Sequence, residues 1–223
     1  MAATDFFDEL ETRDPAERER RLFQLLPEQI ANAQKNAPGF AKILDGVDAV
    51  SITSRATLAK LPVIRKSELV ERQKEQHKDR DPFGGLTAVP TGQLARIFAS
   101  PGPIYDPEAP RADYWRLARA LYAAGFRRGD VIHNTFSYHF TPAGAMLESG
   151  AHAIGCAVVP AGTGNTELQV RAIADVKPKG YVGTPSFLKI ILDKASEMNV
   201  ELPSLKLALV SGEALPPALR AEF

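Results

Sequence analysis

The spacing of apolar residues divides the chain near residue 92 into two parts with different patterns. Before that point, Asp14 is a natural N-cap and Pro15 suits the first position of a helix. Four apolar residues then recur at helical spacing: Leu22, Leu25, Leu26 and Ile30. A second helix is predicted over 66–76, followed by a polar connection and a turn at 84–85. Residues 1–92 are therefore predicted to be a helical N-terminal segment.

After residue 92, short apolar runs alternate with amphipathic stretches. Strands are predicted at 94–99, 131–134, 157–160, 180–182 and 205–210. Helices are predicted at 112–124, 142–153, 166–175 and 185–198, with another beginning near Pro216. Strands separated by helices of this length imply βαβ units. The predicted class is α/β, in which residues 93–223 form a mostly parallel sheet with helices on both faces.

Ligands of open α/β sheets bind outside the carboxyl ends of the strands, so the strand exits are the candidate sites. The segment 134–144 holds four aromatic side chains, which either line a flat apolar pocket or pack one loop: Phe136, Tyr138, His139 and Phe140. The segment 162–164 is a Gly-Thr-Gly sequence before a helix, where a structural turn is favoured over a ligand loop. Thr184 is a natural cap, and the last strand opens into 211–213, Ser-Gly-Glu.

Composition removes several classes of function. Lys and Arg together number 27, as do Asp and Glu, so no net field favours nucleic acid or an anionic membrane, and a small or neutral partner is expected. No apolar run approaches the roughly 20 residues of a membrane span. The first residues lack the apolar core of a signal peptide, which predicts a cytoplasmic protein.

The metal-ligating and nucleophilic residue types are sparse. The single Cys156 excludes an internal disulfide framework and lies in an apolar run, so a buried structural thiol is favoured over a nucleophile. The four histidines have no ligand spacing and are interpreted as surface or packing residues: His77, His133, His139 and His152. No Gly-x-Ser-x-Gly elbow surrounds Ser211, so a hydrolase is not indicated.

Five segments, in this order between Arg96 and Pro217, carry a family resemblance: RIFASPG, AAGFRRGDVIHNTFSYHFTPAG, IGCAVVPAGTGNTELQVRAI, VGTPSFLKIILD and LKLALVSGEALPP. Together they resemble the N-terminal half of the AMP-forming adenylating enzymes, most closely the phenylacetate-CoA ligase subgroup. The resemblance implies that ATP and Mg²⁺ convert a carboxylic acid, often aromatic, to an acyl-adenylate, which the thiolate of CoA attacks with loss of AMP. The implied partners are therefore a small carboxylic acid, a nucleotide and CoA.

The resemblance also implies roles for individual residues. Nucleotide contact is implied for five of them: Ser100, Gly102, Ser211, Gly212 and Glu213. The acyl pocket, or its immediate support, is implied for seven: Tyr138, His139, Phe140, Gly162, Thr163, Gly164 and Thr184. No catalytic residue and no metal ligand is assigned within the chain.

One motif departs from the family pattern. The family's phosphate loop resembles Ser-Ser-Gly-Thr-Thr-Gly-Lys-Pro, whereas the same positions here, 100–107, are Ser-Pro-Gly-Pro-Ile-Tyr-Asp-Pro. Proline has no N–H to offer a phosphate, and Asp106 stands where the family has lysine. At about 6 Å and an effective dielectric near 20, the aspartate would repel each unit of phosphate charge by roughly 3 kcal/mol. Weakened ATP binding is expected, with Mg²⁺ or cations from elsewhere replacing the lysine.

The chain ends at Phe223, inside a predicted helix and roughly halfway along a family member. The family's Tyr-Gly-x-x-Glu segment, ribose-binding aspartate and lysine-bearing lid domain are not among these residues, so the chain alone is expected not to complete the ligase reaction. Whether it acts as an enzyme therefore stays open. A sheet cut off within its domain would also expose apolar surface and favour self-association.

Three functions remain. The leading one is an aryl- or acyl-CoA ligase of the phenylacetate-CoA ligase type, present as its N-terminal portion. The alternative is a noncatalytic ligand-binding or regulatory domain derived from that family. The third is an unrelated doubly wound nucleotide-binding protein, although the chain lacks a full Gly-x-Gly-x-x-Gly or Walker sequence.

Overall fold

A computed structural model describes residues 5–76, 81–100 and 104–223. The chain forms two compact units, Glu9–Pro110 and Arg111–Phe223, the second of which also includes the start of the chain up to Asp8. The division near residue 92 stays a prediction about domain organisation.

The Glu9–Pro110 unit begins with helices. Helix α1, Pro15–Asn36, starts at the predicted residue because Asp14 Oδ1 accepts hydrogen bonds from Ala16 N (2.9 Å) and Glu17 N (3.1 Å). Three more helices follow among the described residues: α2 (Pro38–Ile43), α3 (Arg55–Leu58) and α4 (Lys66–Gln76). The core of this unit is a cluster of buried apolar residues: Ile30, Leu44 and Ile52.

Residues 104–108 of the proline-rich segment form a strand rather than the predicted loop. Strand β1, Arg96–Ser100, pairs antiparallel with β2, Ile104–Glu108, in a separate two-stranded sheet. The prediction that 94–99 begins the parallel sheet is therefore wrong. Only alternate residues of an antiparallel strand donate to their partner, so Pro107 is tolerated opposite Ile97, where its nitrogen points away from β1.

A glutamine side chain covers the outer edge of this hairpin. Tyr105 N donates to Gln73 Oε1 (2.9 Å), and Gln73 Nε2 donates back to Tyr105 O (3.0 Å). The amide of Gln73 thus completes the hydrogen bonding of β2 at a position where a third strand would otherwise pair.

The Arg111–Phe223 unit is built on four strands, three of which are predicted to within one residue. They are β3 (Val131–Asn134), β4 (Ala157–Pro160), β5 (Gly180–Gly183) and β6 (Leu207–Val210). The helices are α5 (Ala118–Ala123), α6 (Ala143–Ile154), α7 (Thr166–Val176), α8 (Pro185–Glu197) and α9 (Pro217–Arg220). The strand order is β4-β3-β5-β6, and every neighbouring pair is parallel.

Helices cover both faces of this sheet, as predicted. On β5, Tyr181 lies in a core with α7 and α8, whereas its neighbour Val182 lies in a second core with α5 and α6. Successive residues of a strand point to opposite faces, so the two cores lie on opposite sides. The burial of both residues explains why the strand is an unbroken apolar run.

Helix α5 is much shorter than the predicted 112–124. Before it, Asp113 and Arg116 have positive φ angles of 45° and 61°, which a continuous helix does not allow. Asp113 Oδ1 instead accepts from Leu117 N (2.8 Å) and Ala118 N (3.2 Å) and so caps the shorter helix.

Cys156 is buried, as predicted, and its Sγ donates to Arg127 O (3.2 Å). Burial raises the pKa of its thiol. In the part of the chain that the structure describes, no helix combines the length and apolar character needed to cross a membrane.

Candidate ligand-binding site

The strand order predicts a crevice at the carboxyl ends of β3 and β5. From β3 the chain first adds β4 on one side and then β5 and β6 on the other, so the order reverses between β3 and β5. Open parallel sheets bind ligands at such a reversal, because the connections leave in opposite directions and open a gap. The residues that follow these strands therefore form the candidate site.

A buried cluster of hydroxyl groups forms the floor of this site. Thr135 Oγ1 lies 2.8 Å from Tyr181 Oη, which donates in turn to Thr184 O at 2.9 Å. Burial raises the pKa of Tyr181 to about 12, so its hydroxyl remains protonated and can donate. A Cβ on Gly183 would lie only 2.0 Å from Thr135 Oγ1, so the cluster requires glycine at this position.

Three strand exits come together above this floor. Phe136 follows β3, Thr184 follows β5 and Gly212 follows β6. A Cβ on Gly212 would lie 3.5 Å from Thr184 Cγ2 and 3.7 Å from Phe136 Cε1. Two residues with implied ligand roles, Thr184 and Gly212, thus lie side by side, together with an aromatic ring that the resemblance left without a role.

The exit of β6 is joined to the start of α8. Ser211 N donates to Gly183 O (3.1 Å), and Ser186 N donates to Glu213 Oε2 (3.4 Å). Thr184 Oγ1 caps the same helix by accepting from Phe187 N (3.4 Å), as predicted. Residues 211–213 are exposed, so a ligand can reach the whole Ser-Gly-Glu segment.

The aromatic loop after β3 is held by one tyrosine. Tyr138 Oη donates to Glu148 Oε2 (2.8 Å) and accepts from Asn134 Nδ2, also at 2.8 Å. Asn134 Nδ2 donates as well to Gly144 O (2.9 Å), which ties the loop to the start of α6. The hydroxyl of Tyr138 is therefore engaged within the protein, and its ring is the part that a ligand could contact.

The other two aromatic candidates are exposed. The Phe140 side chain is 80% exposed, and its φ of 57° lies in the left-handed region that few non-glycine residues adopt. His139 is also exposed. Their contribution to an acyl pocket stays a prediction.

The Gly-Thr-Gly segment of 162–164 is held by hydrogen bonds to β3 on one side and to α7 on the other. Gly162 and Gly164 have φ angles of 68° and 77°, which glycine adopts without strain. Gly162 N donates to Asn134 O (3.1 Å), and Gln169 Nε2 donates to Gly162 O (2.9 Å) and Gly164 O (3.1 Å). A Cβ on Gly162 would lie 4.0 Å from Tyr138 Cδ2, so this loop adjoins the aromatic loop.

The remaining two predicted nucleotide residues belong to the Glu9–Pro110 unit. Ser100 ends β1, and its Oγ donates to Ile104 O (3.3 Å) across the hairpin. Gly102 lies outside the described residues. Asp106 is on β2, opposite Phe98, and is half-buried.

Several residues of the site were missed by sequence reasoning: His133, Asn134, Thr135, Glu148, Gln169 and Tyr181. One signal was available, because His133 and Asn134 are polar residues that end an otherwise apolar strand. Buried polar groups need hydrogen-bond partners, and such partners at a strand exit shape the loops around a site. The partners themselves, Glu148 and Gln169, are distant in sequence and look like ordinary helix residues.

The chain is similar over most of its length to known CoA ligases. No protein-family model matches the chain. The phenylacetate-coenzyme A ligase of Aromatoleum evansii is 34% identical over 216 residues, which cover 91% of this chain and 47% of that protein. The corresponding ligase of Thermus thermophilus is 32% identical over 228 residues, which cover 96% of this chain and 48% of that protein.

The chain belongs to the phenylacetate-CoA ligase-like group of the AMP-forming adenylating enzymes. It spans about half the length of the curated relatives that it matches, 47% and 48% for the two above. The matches fit an N-terminal portion of an adenylate-forming enzyme.

Solved structures of this superfamily share the fold. A 2-hydroxyisobutyryl-CoA ligase in complex with 2-HIB-AMP and CoA superimposes with a TM-score of 0.88 at 22% identity, over 100% of this chain and 50% of that one. The same ligase in its postadenylation state gives a TM-score of 0.84 at 23% identity, over 96% of this chain. The α/β class predicted from sequence is thereby confirmed.

Proposed function

We propose that this chain provides the nucleotide- and acid-binding sheet of an aryl- or acyl-CoA ligase of the phenylacetate-CoA ligase type. The observation that carries the proposal is the convergence of Phe136, Thr184 and Gly212 at the reversal of strand order. A flat ring beside a glycine without a Cβ suits a planar base, which can stack on the ring and approach the bare backbone. The family relationship supports adenine as that base.

The acid would bind beside the nucleotide, along the aromatic and glycine loops. Tyr138 and Gly162 lie next to each other there, and the hydroxyl of Tyr138 is engaged by Glu148 and Asn134. The tyrosine therefore offers the apolar surface of its ring to the acyl group. An aromatic acid such as phenylacetate suits such a surface, because offset and edge-to-face ring contacts are favourable.

In the proposed reaction, a carboxylate oxygen attacks the α-phosphorus of ATP and diphosphate leaves. The thiolate of CoA then attacks the acyl carbon, and AMP leaves. The residues of the candidate site would position the two reactants. Mg²⁺ would accompany the ATP phosphates, as the family resemblance implies. The chain by itself is expected to bind ligands without forming acyl-CoA.

A noncatalytic ligand-binding domain is the second candidate, and one sequence feature favours it. Between Arg96 and Arg111 there is no lysine, and Asp106 stands where the family has one. A domain that bound the acid or AMP would not need the phosphate-binding lysine. This candidate predicts binding of AMP and acid with little affinity for ATP, in the complete protein as well as in this chain.

Calorimetric titration of the chain with AMP, phenylacetate and MgATP tests the proposal. Asp106→Lys is expected to strengthen MgATP binding at least tenfold, because it replaces a repulsion with an attraction. Asp45→Lys is the matched control, since Asp45 is exposed and lies in the same unit. Equal affinities in both variants would refute the role of Asp106. Failure of AMP and phenylacetate to bind the folded chain would count against the proposed function.

A further inference from the structure

Two consecutive residues at the end of β3 hold the loops on the two faces of the sheet. Asn134 bonds to Tyr138 on the α6 side, whereas His133 points to the α7 side, because successive side chains of a strand alternate. Both His133 and Gln169 are almost completely buried, at 0% and 3% exposure. Burial of two polar side chains is costly unless they are hydrogen-bonded to each other or to the backbone.

The hydrogen bonds of Gln169 define its orientation. Its Nε2 donates to Gly162 O (2.9 Å) and Gly164 O (3.1 Å), so both amide hydrogens are directed to the glycine loop. Its Oε1 therefore faces His133 Nε2, at 2.5 Å. An amide oxygen can only accept, so the imidazole proton must lie on Nε2.

The side chain of His133 has no second hydrogen bond within the described part of the chain. Its Nδ1 is buried without a hydrogen-bond partner. The imidazole is also neutral, because burial lowers its pKa. The one hydrogen bond of the imidazole is therefore its donation to Gln169 Oε1, which fixes the oxygen end of an amide whose nitrogen end bonds to the glycine loop.

We propose that His133 and Gln169 are positioning residues that set the conformation of the Gly162–Gly164 loop for ligand binding. His133 fixes the amide of Gln169, and that amide holds the carbonyl groups of Gly162 and Gly164 towards α7. Asn134 O fixes the amide of Gly162 from the same strand. The loop is thereby kept beside Tyr138, where the acid would bind. This inference rests on the proposed function for the identity of the ligand but not for the geometry of the loop.

The cavity next to this pair provides room for a diagnostic substitution. It has a volume of about 330 Å³ and is lined by both positioning residues, by Asn165 and by apolar side chains: Val159, Pro160, Ala161, Leu168 and Ala172. In His133→Gln, the amide nitrogen lies as many bonds from Cβ as Nε2 of the imidazole, so it can place an N–H donor at the same position. In His133→Asn, the amide reaches only as far as Nδ1, so Gln169 loses its partner. The two variants differ by one methylene group.

Amide hydrogen exchange at Gly162 and the dissociation constant of phenylacetate are the two readouts. His133→Asn is expected to accelerate exchange at Gly162 at least tenfold and to weaken phenylacetate binding about tenfold. His133→Gln should stay within about threefold of the unsubstituted chain in both. Equal effects of the two substitutions would overturn the proposal, because a residue that only fills space would not distinguish them in this way.

A second pair of variants tests the other end of the interaction. Gln169→Glu keeps an oxygen for His133 but removes both donors to the glycine loop, so exchange at Gly162 should accelerate at least tenfold. Gln73→Glu is the matched control, because Gln73 is also 3% exposed and bonded to backbone in the other unit. It should leave exchange at Gly162 unchanged. No acceleration in Gln169→Glu would contradict the proposal.

Nitrogen NMR of the histidine ring gives an independent test in the unsubstituted chain. Nε2 should be protonated and Nδ1 should not, and the opposite tautomer would overturn the proposal. If phenylacetate does not bind while the exchange contrast between His133→Asn and His133→Gln persists, the proposed function fails and the positioning of the loop stands. If phenylacetate binds equally well to both variants, the positioning role fails and the function stands.

Discussion

Substitution of Gly183 by alanine tests whether the hydroxyl cluster forms the floor of the site. The added Cβ would lie 2.0 Å from Thr135 Oγ1 and 2.2 Å from Tyr181 Oη. Side-chain carbon atoms are not found at such distances, so both hydroxyl groups must move. Neither can move far, because Thr135 and Tyr181 are both fully buried.

The expected loss in the free energy of unfolding follows from the hydrogen bonds that this movement breaks. Displacement of Tyr181 Oη breaks its contact with Thr135 Oγ1 and its donation to Thr184 O, now 2.8 and 2.9 Å. Each buried polar group left without a partner costs about 1–3 kcal/mol, and overpacking adds about 1–3 kcal/mol. With both hydroxyl groups displaced, the expected loss is about 3–9 kcal/mol, a large part of the roughly 5–15 kcal/mol that stabilises a typical domain.

Urea unfolding followed by far-ultraviolet circular dichroism measures this loss. Gly92→Ala is the matched control, since a Cβ on Gly92 would have no atom within 4 Å and its φ is not in the left-handed region. The control should change the free energy of unfolding by less than about 1 kcal/mol. A Gly183→Ala chain as stable as the control would refute the description of the cluster.

Two further predictions concern buried titratable groups. The pKa of folded His133 is lowered by burial, whereas the unfolded chain has the ordinary value of about 6.5, so the unfolded state binds a proton first as the pH falls. The free energy of unfolding should therefore decrease below about pH 6.5, and less so in His133→Gln; an identical decrease in both chains would contradict this. Burial also raises the pKa of Cys156, so iodoacetamide should react far more slowly with the folded chain than with the urea-unfolded one, as mass spectrometry would show, and equal rates would exclude a buried thiol.

Much of the parallel sheet was predictable because its signals are local. Strands β3 and β4 occupy the predicted residues, since each begins with apolar residues and lies close to residues that end regular structure: Asp130 precedes β3, and Gly155 and Gly162 lie on either side of β4. The caps at Asp14 and Thr184 were equally predictable, because a cap depends on residues within one turn.

The errors arose where a distant contact or a competing local cap overrides the spacing of apolar residues. Pro107 reads as part of a loop, yet it lies on β2 because Gln73 and β1 complete the hydrogen bonding of that strand from both sides. Residues 112–117 have helical spacing, but the carboxylate of Asp113 caps a helix that begins only at Ala118. Gln73 is 32 residues from Tyr105 and cannot be identified from the neighbouring sequence, whereas the Asp113 cap is local and competes with the helical spacing.

The candidate site was predictable in part for the same reason. The resemblance pointed to Thr184 and Gly212, which the structure brings together. It gave no indication of the supporting network, because the bond between His133 and Gln169 spans 36 residues and depends on the folded arrangement of β3 and α7. A histidine that ends an apolar strand is compatible with simple packing until its partner is known.

The central claim is that the exits of β3, β5 and β6 form one nucleotide site, and NMR titration of the isotopically labelled chain with AMP tests it most directly. The account predicts that the amide signals of Phe136, Thr184 and Gly212 shift together and saturate with a single dissociation constant. Substitution of Phe136 by alanine should weaken that binding at least fivefold, in line with the worth of one base stacked on an aromatic ring. Shifts confined to other parts of the chain, or AMP binding that is unchanged by Phe136→Ala, would contradict the account.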